Sequence, residues 1–278
     1  MKVLIVPSAS QEAQNQARLL CARLAASGID AAVQPVEETS APVVPAEEMA
    51  LVVPLGGDGT FLYAARLIDF AAVPILGFNY GTLGFLSGNP QRDKVELIAD
   101  ALAGDLLVEK RSTLDAVAID SLGVEHRFTA LNELAYTRGS SGRIVEYEYA
   151  VNGTRIAKLK ADGLVVSTAT GSTAYALSAG GPIVSPGYAG MVVVALAPHS
   201  LNARALVTAP SDVLEVHMLG RNLEEPSLFV DGQPVEIDGV KALTVQRGER
   251  EIRYVRGGDD FFAAVAHTFY GEQGGLPC

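Results

Sequence analysis

At 278 residues, 49% of them hydrophobic, and with a formal net charge of −11, the chain holds enough apolar material for one large domain or two ordinary ones. It has too little positive charge for a general nucleic-acid binder, which draws its affinity from neutralising phosphates. No run nears the roughly 18 apolar residues of a membrane span, the N-terminus does not read as a signal peptide, and Cys21 and Cys278 make neither a disulfide framework nor a metal-ligand spacing, so the expectation is a soluble, unprocessed, cytoplasmic protein.

In chain order, residues 2–6 read as a buried strand and 9–27 as a helix with the apolar face Ala13, Ala17, Leu20, Cys21 and Leu24, closed by Gly28. A second strand is predicted at 31–36, and the Pro- and Glu-rich run 37–48 as a solvated connector. Val52, Val53 and Leu55 form a core strand that stops at Gly56 and Gly57, followed by Asp58, Gly59 and a helix over 60–67. A strand at 74–77, a loop over 79–90 and a helix over 93–103 ending at Gly104 complete an alternation of strands and helices, which implies a parallel sheet covered by helices.

From about Glu109 the chain turns to short strands separated by turns, with one helix. Val145, Tyr147, Tyr149 and Val151 alternate with polar residues up to the hairpin dipeptide Asn152-Gly153, and 155–160 is the return strand. Asp231-Gly232 and Asp238-Gly239 read as turns beside strands at 228–230 and 235–237. The tail 258–270 has helical spacing in Phe261, Phe262, Val265 and Phe269 and is expected to return to the first domain. The expected fold is therefore an α/β N-terminal domain with a parallel sheet, residues 1–108 with the tail 256–278, plus an all-β, sandwich-like domain over 109–255.

Three stretches carry chemistry. Asp58, amid glycines on a strand-to-helix loop, suits either a general base for a hydroxyl or a helix N-cap, and the loop's amides suit an anion. The loop has no Lys-Ser/Thr ending and so is not a P-loop. The tract 162–182 is dense in hydroxyls that can donate to phosphate or ribose, with Tyr175 as a stacking ring; the plain alternative is an ordinary Ser/Thr-rich turn. Asn132-Glu133 pairs an amide with a carboxylate, an arrangement suited to vicinal hydroxyls or to an exposed strand end. His126, His199, His217 and His267 have no cysteine partners or metal spacing, and there is no serine elbow.

Taken together these pieces resemble the NAD kinase family, whose members phosphorylate NAD to NADP. The resemblance covers about 51–233 and rests, in order, on GGDGT at 56–60, GFNYGTLGFL at 77–86, Asn132-Glu133 and DGLVVSTATGSTAYALSAGGPI at 162–183. It implies an α/β domain and a β-sandwich with NAD bound between them, ATP with Mg2+ or another divalent cation as phosphoryl donor, and a homotetramer or dimer. It makes Asp58 the base for the 2′-hydroxyl of the adenosine ribose, with Gly56, Gly57 and Gly59 at the donor phosphates and Phe78 among the ligand contacts. Asn132 and Glu133 are implied to hold the nicotinamide-side ribose, and Thr173, Ala174, Tyr175 and Ser178 to line the adenosine portion. Asp162 and Ala197 are implied at the base, across a subunit boundary, with Arg143, Lys160 and Gln233 as further contacts. The chain departs from the family pattern at Ala169, where proline is common, and in its tail, HTFYGE, where many members read Lys-Leu-Gly-Trp. Two other readings share parts of the pattern: a lipid kinase of the diacylglycerol or sphingosine type, which needs an apolar cleft, and a dinucleotide-binding protein without catalysis.

Overall fold

The computed structural model describes residues 2–34, 44–80, 84–88, 92–139, 141–219, 226–258 and 260–271. Most of the expected connector 37–48, residues 81–83 of the second motif, and Cys278 lie outside them. The chain divides into two compact units, 1–110 with 251–278, and 111–250.

In the first unit β1 (Lys2–Pro7), α1 (Gln11–Ala26), β2 (Ala31–Val33), β3 (Met49–Leu55), α2 (Asp58–Leu67), β4 (Pro74–Ile75) and α3 (Lys94–Ala103) alternate as expected. The strands lie parallel in the order β2-β1-β3-β4. Val3, Ile5, Leu51, Val53 and Leu55 pack on Ala17, Leu20 and Leu24 of α1 and Leu97 and Ile98 of α3. The intervening Leu4, Val6 and Val52 are also buried, as a parallel sheet covered on both faces requires. Local chemistry sets the helix ends. Ser10 accepts from Ala13 N–H at 3.2 Å, and Asp93 accepts from the Val95 and Glu96 amides. Gly104, at φ 84°, closes α3 in the left-handed region that glycine adopts without strain.

The second unit is built from β5 (Val108–Asp120), β6 (Glu125–Ala130), β7 (Glu133–Thr137), β8 (Val145–Val151), β9 (Thr154–Ala161), β10 (Gly163–Ser167), a short helix α4 (Tyr175–Ser178), β11 (Val192–Leu196), β12 (Leu206–Val207), β13 (Val213–Met218), β14 (Ser227–Val230), β15 (Gln233–Pro234) and β16 (Val240–Val255). One antiparallel layer runs β16-β13-β8-β9, with β5 and β6 joined through β16, and the other runs β12-β11-β10-β7-β14-β15. Leu114, Tyr147, Leu214, Val216 and Leu243 of the first layer share a core with Leu134, Tyr136, Leu164, Val193 and Leu228 of the second, which makes a sandwich. On the other side of the second layer Ala135, Val165, Val192 and Val194 are covered by Ala176, Ala179 and Val184.

The hairpin at Asn152-Gly153 is present, with φ of 50° and 74° at its two residues. The strand expected at 235–237 is not. Strand pairing with β14 ends at Pro234; one further bond follows, from Val235 N–H to Leu228 O at 2.9 Å, and 235–237 then run as irregular chain whose Val235 and Ile237 still pack on the core. The last residues of β16 join the first unit, Arg253 and Tyr254 pairing parallel with Pro74 and Ile75. The tail then forms α5 (Phe261–Val265), capped by Asp260, and a π turn over Ala266–Tyr270. Phe85 meets Phe261 and Phe269 at ring-centroid distances of 6.0 and 6.1 Å, so the tail does return to the first unit.

Candidate active site

In the first unit the chain leaves β1 toward β2 and comes back to β3 on the other side of β1. Loops leaving the carboxyl ends of β1 and β3 therefore diverge, the place where open α/β sheets bind ligands. Ser8 N–H donates to Leu55 O at 2.9 Å, so the loops after β1 and β3 run side by side, each into a helix N-terminus. The GGDGT loop is fixed by its own backbone. Gly56 N–H donates to Phe78 O at 2.9 Å, and a Cβ on Gly56 would lie 2.2 Å from Thr60 Oγ1. At Gly57 and Gly59 a Cβ would meet nothing within 4 Å, so the backbone there is open to approach. Phe78 is wholly buried in the core and holds this loop through its carbonyl.

The helix starts at Asp58 rather than Thr60, because extended Gly57 caps it and its carbonyl accepts from the Thr60 and Phe61 amides. Asp58 is half-buried and is not the N-cap. Its Oδ2 accepts from Phe85 N–H at 2.9 Å and its Oδ1 from Leu86 N–H at 3.0 Å. Gly84 lies flush on that carboxylate, since a Cβ there would come within 2.2 Å of Oδ1. The acid is thus oriented by two amides, and each oxygen keeps a further lone pair for a hydroxyl.

In the second unit the sheet register brings three strand ends together. Ser167 at the end of β10 lies opposite Glu133 at the start of β7, and Val230 at the end of β14 lies opposite Leu134. Asp231 follows, with φ of 47°, and its N–H donates to Glu133 O at 2.9 Å. Its buried carboxylate in turn accepts from three successive amides: Leu131 at 3.0 Å, Asn132 at 2.6 Å and Glu133 at 3.2 Å. Asp231 is therefore a positioning residue for the Asn132-Glu133 pair. In the sequence Asp231 reads only as the first residue of the Asp231-Gly232 turn.

The hydroxyl tract closes over the same place. Thr168 donates to Leu131 O at 2.7 Å and accepts from Gly171 N–H at 3.0 Å. Gly171 packs so closely that a Cβ would fall 2.2 Å from Asn132 O. Ser172 is buried and bonds Ala169 O and Val184 N–H, so Thr168 and Ser172 hold the loop together rather than facing a ligand. Thr173 and Ala174 are half-buried, and Tyr175 and Ser178 exposed.

The pair itself is left partly unsatisfied. Asn132 Oδ1 and Glu133 Oε2 are buried without a hydrogen-bond partner, as are Ser167 Oγ and Thr170 Oγ1. Burial, then the negative charge of Asp231, pushes the Glu133 carboxyl up to about 7, although the Tyr175 amide acts against this by donating to it. Two adjacent buried acceptors lacking donors stand out, because buried polar atoms in native proteins nearly always have partners.

The remaining candidates lie elsewhere on the second unit. Asp162 N–H donates to Leu196 O at 2.8 Å, and Ala197, at φ 41°, is the next residue. Lys160 O accepts from His199 N–H at 2.9 Å. Asp162 and Ala197 sit just beyond the end of β10 opposite Ser167, about 17 Å away at the rise of a strand, with Lys160 near the end of β9, and Asp162 is paired there with Arg138 at 3.0 Å. Lys160 is exposed, and Arg143 is exposed on the loop before β8. Gln233, exposed on β15, is two residues from Asp231.

Two family models match the chain in order: the ATP-NAD kinase N-terminal domain over residues 3–106, and the ATP-NAD kinase C-terminal domain over 131–257. A NAD kinase of Gemmatimonas aurantiaca is 40% identical over 222 residues, 78% of this chain and 75% of that protein. One from Neisseria meningitidis serogroup C is 36% identical over 226 residues, 80% and 76% of the two chains. Among solved structures, yeast NADH kinase complexed with NADH matches with a TM-score of 0.86 at 21% identity, over 99% of this chain and 88% of that one. An NAD kinase from Archaeoglobus fulgidus in complex with ATP matches with a TM-score of 0.74 at 24% identity, over 95% and 98%. At these identities the structural likeness bears on the fold.

Proposed function

The chain belongs to the ATP-NAD kinase family, and on that premise we propose that it transfers the γ-phosphoryl group of ATP to the 2′-hydroxyl of the adenosine ribose of NAD, giving NADP. The observation that carries the reading to this chain's own residues is the buried pair Asn132 and Glu133, with Oδ1 and Oε2 both waiting for donors. The vicinal hydroxyls of the nicotinamide-side ribose supply two such donors. Thr173, Ala174, Tyr175 and Ser178 follow on the loop that closes over Glu133, where an adenosine portion has an exposed ring and hydroxyls to meet.

Phosphoryl transfer asks the protein chiefly for positioning and charge neutralisation. In this reading the open amides of the Gly57 to Gly59 turn, at the start of α2, receive the donor phosphates, and Asp58, held by the Phe85 and Leu86 amides, orients the attacking hydroxyl and takes its proton. The divalent cation supplies further charge neutralisation when it enters with ATP. No group of three or more His, Cys, Asp or Glu able to hold it gathers among the described residues, so we assign it no protein ligand set.

A homo-oligomer, as the family resemblance implies, would have Asp162, Ala197 and Lys160, away from the Asn132-Glu133 pair, meet the ligand of a neighbouring copy. Among the described residues no helix is long and apolar enough to cross a membrane, and we place the activity in the cytoplasm. The test is NADP formation from NAD with ATP and Mg2+. Replacing Asp58 by Asn is expected to lower turnover at least about a hundredfold with NAD affinity kept; near-normal turnover would remove Asp58 from the role of base.

A further inference from the structure

We propose that the C-terminal tail is a positioning device for Asp58: Phe261 and Phe269 hold the ring of Phe85, and Phe85 holds the carboxylate through its backbone. The inference rests on the reading of Asp58 as the base. Every contact in it lies within the first unit.

The chain of contacts is short. Phe85 N–H and Leu86 N–H each take one oxygen of Asp58, at 2.9 and 3.0 Å. The ring of Phe85 is stacked on Phe269, at 6.1 Å and 20° between planes, and tilted against Phe261, at 6.0 Å and 49°. Phe261 is itself braced edge-on by Phe262 at 5.3 Å. Aromatic pairs in these geometries attract beyond what their buried area alone supplies.

The segment 84–88 is also held by the buried side chains of Leu86 and Ser87 and by Gly88. At its far end Gly88 N–H donates to Gly77 O at 3.2 Å and Gly88 O accepts from Asn79 N–H at 2.7 Å. At its near end Gly84 is pressed against the carboxylate, a contact that excludes other groups but supplies no hydrogen bond. Leu86 is anchored by burial, and the ring of Phe85, met by the tail, is the second side-chain anchor that keeps the two amides aimed at Asp58. Rotation of the carboxylate breaks both bonds at once, so fixing Phe85 fixes the direction of the lone pairs left for the hydroxyl.

Phe269 lies on the π turn of the tail. None of α5 or the π turn is buried, and Phe262, Phe269 and Tyr270 are exposed. The described part of the tail adds little to the core, and Phe261 and Phe269 are its rings that meet Phe85.

The test is the double replacement Phe261→Ala and Phe269→Ala, with Phe269→Tyr as the variant that keeps the ring. Because the tail buries no residue, the double variant is expected to melt within a few degrees of wild type. Hydrogen exchange at the Phe85 and Leu86 amides of the ligand-free protein is expected to speed up about tenfold or more. Turnover is expected to fall about tenfold, a modest part of what misplacing a catalytic group can cost, with KM for NAD unchanged and Phe269→Tyr behaving as wild type. Unchanged exchange in the double variant, or faster exchange with unchanged or higher turnover, would overturn the proposal. Failure of the base assignment shows separately, as an Asp58→Asn enzyme that still turns over normally while the exchange result stands.

Discussion

Replacing Glu133 by Gln isolates the electrostatic cost of the ribose-binding pair. In the folded protein burial and Asp231 raise this carboxyl from the ordinary 4.5 of a glutamate to about 7. The folded value lies above the unfolded one, so the group costs nothing below about pH 4.5, where it is protonated in both states. As pH rises from 4.5 through 7 the unfolded chain gives up its proton first, and the folded state falls behind. Above pH 7 the deficit is complete, and the size of the shift makes it about 3 kcal/mol. Gln keeps an acceptor for the Tyr175 amide and carries no charge toward Asp231. Urea unfolding of both proteins should therefore give a Gln variant more stable than wild type by about 3 kcal/mol at pH 8, the difference shrinking to near zero at pH 4.5. A difference that is the same at both pH values would refute the reasoning, because uncharged packing has no reason to follow pH. The same variant should bind NAD more weakly, since an amide replaces one acceptor with a donor.

Asp231→Ala removes the acceptor of three buried amides and is expected to cost about 3 kcal/mol or more in stability, with KM for NAD rising more than turnover falls; circular dichroism melts and steady-state kinetics measure the two. Gly84→Ala forces a methyl group against the Asp58 carboxylate and should lower turnover about tenfold or more through misplacement of that group, while leaving NAD affinity, read by calorimetry, within a few-fold. Gly171→Ala places a methyl group on the carbonyl of Asn132, a backbone atom unable to move aside, and should destabilise by about 1–3 kcal/mol in urea unfolding.

Much of the architecture could be read from periodicity. The alternation in β8 and the Asn152-Gly153 turn fixed a hairpin because both signals are local. The start of α2 was read two residues late, because Asp58 and Gly59 look like loop residues until Gly57 is seen to supply the carbonyl that begins the helix. The length of β16 escaped the reading: its Gly248 suggests a break, but a Cβ there would fall 2.1 Å from Thr113 Oγ1, so the glycine serves a close crossing inside a continuous strand. The motifs named the residues that carry chemistry but not what holds them. Asp231 lies about a hundred residues from the amides it binds, and Phe85 meets its ring partners from the opposite end of the chain. Long-range contacts of this kind leave no periodic trace.

That β4 is completed by the end of β16 has a consequence for how the chain is made. The first unit is discontinuous in sequence, with the whole of 111–250 inserted between its parts. During synthesis β1, β3 and β4 emerge early, yet the strand that covers the edge of β4 comes only after the entire sandwich has been translated. Until then that edge offers unpaired backbone to other nascent chains. A sandwich that folds first would shorten the loop to be closed and so lower its entropic cost, which makes the second unit, rather than the N-terminal one, the natural pacemaker of refolding.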